Sequence, residues 1–182
     1  MTSKARSAAF LLALSLSLAS AACSSGPAVK SQAYAKLSDH RTYEYDIPVA
    51  MRGIEKALSG LKIVRRDPDE VSDLEARKLT SRRYETDWVY GQSRDKYVEY
   101  AVNDSPRRKM LQTRYKFDIE ARSRIGGTDV SVRMTEEIER LKDDGTPAGY
   151  VAADEPDTSR VAEMLEKIQL GVLSAPPSNE VR

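Results

Sequence analysis

From Leu111 to Arg122 the side chains alternate. Leu111, Thr113, Tyr115, Phe117, Ile119 and Ala121 take one side, and Gln112, Arg114, Lys116, Asp118, Glu120 and Arg122 take the other. Successive strand residues point to opposite faces, so this run suits a strand with one face in the core and one in water. Ile125-Gly126-Gly127-Thr128 then supplies a turn, and Val130, Val132, Met134 and Ile138 carry an apolar face back. The pair reads as an antiparallel hairpin. Its apolar face needs a cover, which restricts the chain to a layered arrangement.

Two stretches can provide that cover. Pro48 suits the first turn of a helix, where its missing N–H is no loss. Ala50, Ile54, Ala57, Leu58 and Leu61 then share one face, with Arg52, Glu55 and Lys56 opposite. Gly60 is placed for a left-handed cap. Near the other end, Asp157, Thr158 or Ser159 can cap a helix whose buried stripe is Val161, Met164, Leu165, Ile168 and Val172. Glu163 and Lys167 form an i,i+4 pair on its outside, and Pro176-Pro177 stops it. The predicted fold class is α+β: an antiparallel sheet with two helices packed on one face, a helix-grip-like two-layer domain.

The remaining segments are assigned around this frame. Thr42 to Ile47 reads as a strand, as does Leu61 to Val64, which ends at Asp67-Pro68-Asp69. Tyr84, Thr86, Trp88 and Tyr90 alternate onto one face of a further strand. That face either covers the core or presents a ligand surface. Ser93 to Val102 fits helix and strand spacing equally. Asn103 to Pro106 is a turn, and Lys142 to Pro156 a loop.

The N-terminus reads as an export signal. Lys4 and Arg6 precede an apolar stretch from Ala8 to Leu18, too short to stay in a bilayer, and small residues follow. Leu18-Ala19-Ser20-Ala21-Ala22-Cys23 resembles the lipobox of bacterial lipoproteins. Ala21, Ala22 and Cys23 match it, whereas Ser20 stands where an aliphatic residue is usual. The resemblance implies cleavage before Cys23 and its acylation. The alternative is an ordinary export signal that leaves a free thiol. Stable anchoring takes two lipid signals, which a triacylated cysteine exceeds. Ser24, which is not Asp, implies the outer membrane by the same resemblance. The resulting division is 1–22 signal peptide, 23–40 flexible tether, 41–174 folded domain and 175–182 disordered tail. Fully extended at about 3.3 Å per residue, the tether up to Asp39 would reach roughly 50 Å.

Charge and residue inventory exclude several functions. The chain has 29 Lys+Arg, 28 Asp+Glu and one His, for a net charge of +1. Losing Lys4 and Arg6 leaves the mature chain close to neutral, without the bulk positive charge of a nucleic-acid binder. One Cys and one His make no internal disulfide and no zinc site. Asp67, Asp69, Glu70 and Asp73 lack the spacing and glycine of an EF-hand, so a solvated turn is expected. Glu136 and Glu137 face opposite ways on a strand, and Glu137 and Glu139 read as wetted strand surface. His40 beside Arg41 reads as a surface residue. No nucleophile–base set, phosphate loop or cofactor motif is present, so the expectation is a non-catalytic protein without a cofactor.

In order along the chain, Glu85-Thr86-Asp87-Trp88, Gly127-Thr128-Asp129-Val130-Ser131-Val132, Glu136-Glu137 and Glu163-Met164-Leu165 resemble BamC. BamC is the lipoprotein accessory of the outer-membrane β-barrel assembly machine, and the likeness is to one of its helix-grip domains, over about residues 42–173. The family usually has a longer segment after the lipid and two grip domains, and this chain departs from both. The resemblance implies a periplasm-facing interaction or scaffolding lipoprotein of the outer membrane, with an envelope protein partner in the barrel-assembly machinery. The expected contact is a groove between the terminal helix and the aromatic strand, with Tyr84, Trp88 and Tyr90 as anchors and Cys23 as the lipid attachment. The alternative function is a periplasmic carrier of lipid or a small apolar ligand. Arg82-Arg83 and Arg107-Arg108-Lys109 read either as solvated strand ends or as contacts to acidic headgroups near the anchor.

Overall fold

The computed structural model describes residues 26–32 and 35–175. The export signal, Cys23 and the tail from 176 onward lie outside them. The fold is mixed α+β and mostly sheet, a curled antiparallel half-barrel of eight strands with three helices. The strands are β1 (Lys30–Ser31), β2 (His40–Tyr43), β3 (Ile63–Asp67), β4 (Ser81–Thr86), β5 (Val89–Val102), β6 (Ser105–Arg124), β7 (Gly127–Leu141) and β8 (Pro147–Ala152). The helices are α1 (Ile47–Ala57), α2 (Asp73–Ala76) and α3 (Thr158–Ser174).

The alternating run sits inside β6, a strand of 20 residues. One edge of β6 pairs with β7 from Thr113 to Arg124. The other edge takes β5 along Ser105–Tyr115 and β4 along Asp118–Arg122. The hairpin expected around Gly126-Gly127 is therefore present, and β4 and β5 follow one another along the far side. β3 lies outside β4 and β1 outside β5, while β2 and β8 share the outer edge of β7.

The buried set follows the predicted parity. Tyr84, Ile119 and Val132 form a row across β4, β6 and β7 with no exposed surface. They share a core with Ala50, Ile54 and Leu58 of the α1 segment and with Val161, Met164, Leu165, Ile168 and Val172 of α3. Burying each Leu, Ile or Val contributes about 1.5–3 kcal/mol. A smaller cluster of Val98, Leu111, Ile138 and Leu141 continues the same face toward the other end of the sheet.

The helices meet through two glycines. A Cβ on Gly53 would lie 2.5 Å from Val172 Cγ2 and 2.8 Å from Val172 N, and one on Gly171 would lie 2.5 Å from the Gly53 carbonyl oxygen. The backbones of α1 and α3 are thus closer than any side chain at these positions allows. Asp157 caps α3, its carboxylate accepting from the Ser159 N–H at 2.9 Å.

Several expected elements are corrected. Residues 30 and 31, read as tether, form β1, and the Gln32 N–H donates to the Asp95 carbonyl at 2.8 Å. The strand expected over Thr42 to Ile47 is shifted back to β2, because Asp46 already serves as the N-cap of α1. α1 ends at Ala57, before Gly60, which does not take a left-handed conformation. Ser93 to Val102 is strand, and the turn is Asn103-Asp104 with φ of 48° and 60°, so Ser105 and Pro106 already belong to β6. The expected loop after Lys142 contains β8, whose residues are all exposed and gave no alternation to read. Ser72 and Glu75 make a reciprocal capping box for the single turn of α2 in the acidic segment.

Candidate functional site

α3 carries more than its apolar stripe. On its first turns Arg160 is buried, with its guanidinium 4.3 Å from the centre of the Tyr115 ring and donating to the Gln92 carbonyl at 2.9 Å. Tyr115 meets Phe117 edge to face, with ring centres 5.6 Å apart. One turn further along α3, Glu163 takes Arg94 of β5 in a two-pronged ion pair. Arg94 makes the close contact, because its planar fork matches the carboxylate, and the Lys167 charge one turn on adds a weaker attraction. Arg94 holds the Glu163 carboxyl below its usual range, and the Arg94 guanidinium is raised in turn.

These residues bound a half-open groove of about 780 Å³. Tyr115, Phe117, Met164, Leu61 and Ala57 give it apolar surface, and Lys56, Arg94, Arg160 and Lys167 supply four cations against the one acid, Glu163. At the far rim Leu170 is 67% exposed and Lys56 donates to the Ser174 hydroxyl at 2.7 Å. The arrangement can bury an apolar segment while pairing its negative charges, which is the chemistry of helix-in-groove recognition.

A buried polar network fixes the start of α3 beside this groove. The Lys96 ammonium donates to both Asp95 oxygens at 3.0 and 2.8 Å and to Glu136 Oε2 at 3.0 Å. Glu136 also accepts from the Thr113 hydroxyl at 2.9 Å and from the Asp157 N–H at 3.0 Å. Burial by itself pulls the Lys96 pKa down; the Asp95 and Glu136 hydrogen bonds more than offset it, leaving the ammonium above its ordinary value. The network is possible because β5 and β6 lose register between Gln92 and Tyr97, which tucks Asp95 and Lys96 inward. Nothing in the local sequence signals that bulge.

The expected anchors do not share a face. Tyr84 is fully buried, its hydroxyl donating to Glu55 at 3.3 Å, and burial raises its phenol. Trp88 and Tyr90 lie on the opposite side of the sheet. Glu85 pairs with Asp118, whereas Val89 pairs with Tyr115, so one extra residue is inserted at Asp87-Trp88. An odd insertion flips every later side chain to the other face. There Arg114 lies 4.6 Å from the Trp88 ring and 4.9 Å from the Tyr150 ring, and Tyr90 meets Tyr150 at 6.3 Å. The aromatic residues that do line the α3 groove are Tyr115 and Phe117. The alternating run marked both as inward-facing, but their place at a groove depends on where α3 stops covering them.

Two acid readings are also settled. Glu137 pairs with Arg114 at 2.7 Å on the outer face, as its parity implies. Glu139 is buried, not wetted, and accepts from the Gln112 N–H at 3.3 Å. Among the described residues no three His, Cys, Asp or Glu side chains are grouped to hold a metal ion, and no helix is long and apolar enough to cross a membrane. The chain matches no protein-family model, and no curated protein is significantly similar to it.

Proposed function

We propose that this chain is a non-catalytic lipoprotein of the outer membrane, anchored through Cys23, that holds an envelope protein partner in the groove beside α3. The observation that carries the reading is the groove itself, an aromatic floor from Tyr115 and Phe117 with Arg160 packed against it, under a rim of Lys56, Arg94, Lys167 and the one acid, Glu163. Its partner is an apolar segment bearing acidic residues, and desolvated aromatics give such a contact its energy. In this reading α1 and α3 together cover one face of the curled sheet, a helix-grip-like two-layer arrangement. The resemblance to BamC supports a place in outer-membrane protein assembly. A photo-crosslinking residue at Leu170, on the groove rim, should give an adduct with an envelope protein in intact cells. The same residue at Ile125, which is fully exposed at a distant turn, should not. Equal adducts from both positions, or none from Leu170, would refute the groove. The anchor is tested separately by palmitate labelling and membrane fractionation of the native chain against Cys23→Ala.

A second reading draws on the same groove. Apolar surface under cations also suits an anionic amphiphile, which would make the chain a carrier of lipid. Native mass spectrometry of the protein separates the two: a bound lipid mass that Leu170→Glu, at an exposed position of the groove, removes supports the carrier.

A further inference from the structure

β5 and β6 run on past the body of the sheet. Glu99 to Lys109 are all exposed and close on the tight turn at Asn103-Asp104. The two faces of this projecting hairpin differ. On one, Lys30, Glu99 and Arg108 satisfy each other and Arg108 stacks 4.7 Å from the Tyr97 ring. On the other, Tyr100 pairs across from Arg107, Val102 from Ser105 and Val98 from Lys109. Tyr100 is 49% and Val102 46% exposed, and neither Arg107 nor Lys109 makes an ion pair among the described residues. The only acid between Glu99 and Met110 is Asp104, in the turn. Exposed tyrosine and valine interleaved with unpaired cations match the interface of a bilayer carrying acidic headgroups.

The start of the described chain lies at the same end. β1 sits on β5 at Lys96 and Tyr97, and a Cβ on Gly26 would lie 2.9 Å from the Leu141 carbonyl oxygen. Leu141 lies three residues past the Thr113–Ile138 pair, about level with Met110 and its partner Tyr97. The hairpin projects five residues beyond that row, about 17 Å at roughly 3.4 Å per residue. Cys23 is three residues before Gly26, a reach of at most about 11 Å. Cys23 therefore holds a bilayer within about 11 Å of Gly26, and one that meets the domain from the hairpin side lies closer to the sheet than the hairpin tip does, so the tip enters it or lies along it.

We infer that the face of the β5–β6 hairpin bearing Tyr100, Val102, Arg107 and Lys109 is a membrane-contact surface for anionic phospholipid. It rests on the anchor at Cys23 proposed above, and it sets the orientation of the domain: hairpin down, the Ile125 turn away from the bilayer. With Cys23 acylated, Val102→Cys provides a single labelling site, and Ile125→Cys a control at the opposite end of β6. The full acylated protein carrying either label is reconstituted into vesicles of phosphatidylethanolamine with phosphatidylglycerol, or of phosphatidylcholine alone, doped with nitroxide-labelled lipid. The expected result is flotation of both proteins, quenching of the fluorophore at position 102 but not at 125, and loss of that quenching in Arg107→Glu/Lys109→Glu or on phosphatidylcholine. Flotation with position 102 unquenched overturns the hairpin alone, as does quenching that ignores both charge reversal and lipid charge. Failure to float overturns the anchor, and the inference falls with it.

Discussion

Replacing Lys96 by Met tests the network that holds the start of α3. The Lys96 side chain is 5% exposed, and its ammonium makes three hydrogen bonds to two carboxylates whose side chains are 8% and 0% exposed. Met keeps most of the aliphatic volume, so little packing is lost. What remains is a pair of buried carboxylates with no cation between them. Removing one partner of a buried ion pair costs about 3–5 kcal/mol, a large part of the about 5–15 kcal/mol that holds a domain folded. Urea denaturation of the full chain at neutral pH, with the slope checked for constancy, measures the loss. Adding Glu136→Gln to Lys96→Met removes one uncompensated charge while keeping an acceptor for the Thr113 hydroxyl, so part of the loss should return. The pH dependence has a defined sign. The Lys96 pKa is raised on folding from its ordinary 10.5. Its stabilising contribution is therefore complete below that value and fades as pH rises through the folded value. Lys96→Met should lose this alkaline fall. A neutral-pH loss below about 1 kcal/mol would place the ammonium in contact with water and refute the network.

Three further outcomes follow from the geometry. Gly53→Ala puts a methyl group 2.8 Å from the Val172 backbone nitrogen, so the helices must separate; thermal melting should show a loss of about 1–3 kcal/mol. Tyr84→Ala should cost about 3–5 kcal/mol as a core truncation, whereas Tyr84→Phe, which gives up only a hydrogen bond to the exposed Glu55, should cost under about 1.5 kcal/mol by the same melt. Glu163 has its pKa lowered from an ordinary 4.5 by Arg94, so its contribution is present above that value and is lost as pH falls through the lower folded one. Glu163→Gln should remove that acid-side slope from a pH titration of stability and change neutral-pH stability by no more than about 1 kcal/mol, since both partners are about half exposed.

The main sheet and both long helices were legible because their signals are periodic and local. Leu111 to Ala121, Ala50 to Leu61 and Val161 to Val172 each carry one apolar face, and burial followed it. The anchors Tyr84, Trp88 and Tyr90 were misread because parity was carried through Asp87-Trp88, where one inserted residue inverts it. No composition cue marks an insertion of this kind; it is set by which residues of β6 the two strands find. The groove expected between the terminal helix and the strand of Tyr84, Trp88 and Tyr90 is not formed by those residues; the groove beside α3 has Tyr115 and Phe117 in its floor. Tyr115 and Phe117 look like any other core residues in the sequence; Phe117 stays buried under the groove, and only the path of α3 leaves Tyr115 partly exposed. The polar network was not legible because Ser93 to Val102 fits helix and strand equally, and only the bulge in β5 turns Asp95 and Lys96 inward to meet Glu136, which already shares the parity of Met134 and Ile138. β8 was missed because a strand exposed on both faces has no alternation to detect.

β6 has a consequence for how the molecule comes apart. Between Thr113 and Arg122 it is hydrogen-bonded on both edges, whereas from Ser105 to Gln112 it has β5 alone. Opening the first stretch requires breaking two ladders together, while the exposed end of the second, Ser105 to Lys109, can peel away with its single neighbour, and Leu111 stays held by its cluster with Val98 and Ile138. One continuous strand should therefore show slow amide exchange from Leu111 onward and fast exchange from Ser105 to Lys109. Motion of the projecting end is free to answer its surroundings without loosening the helices at the other.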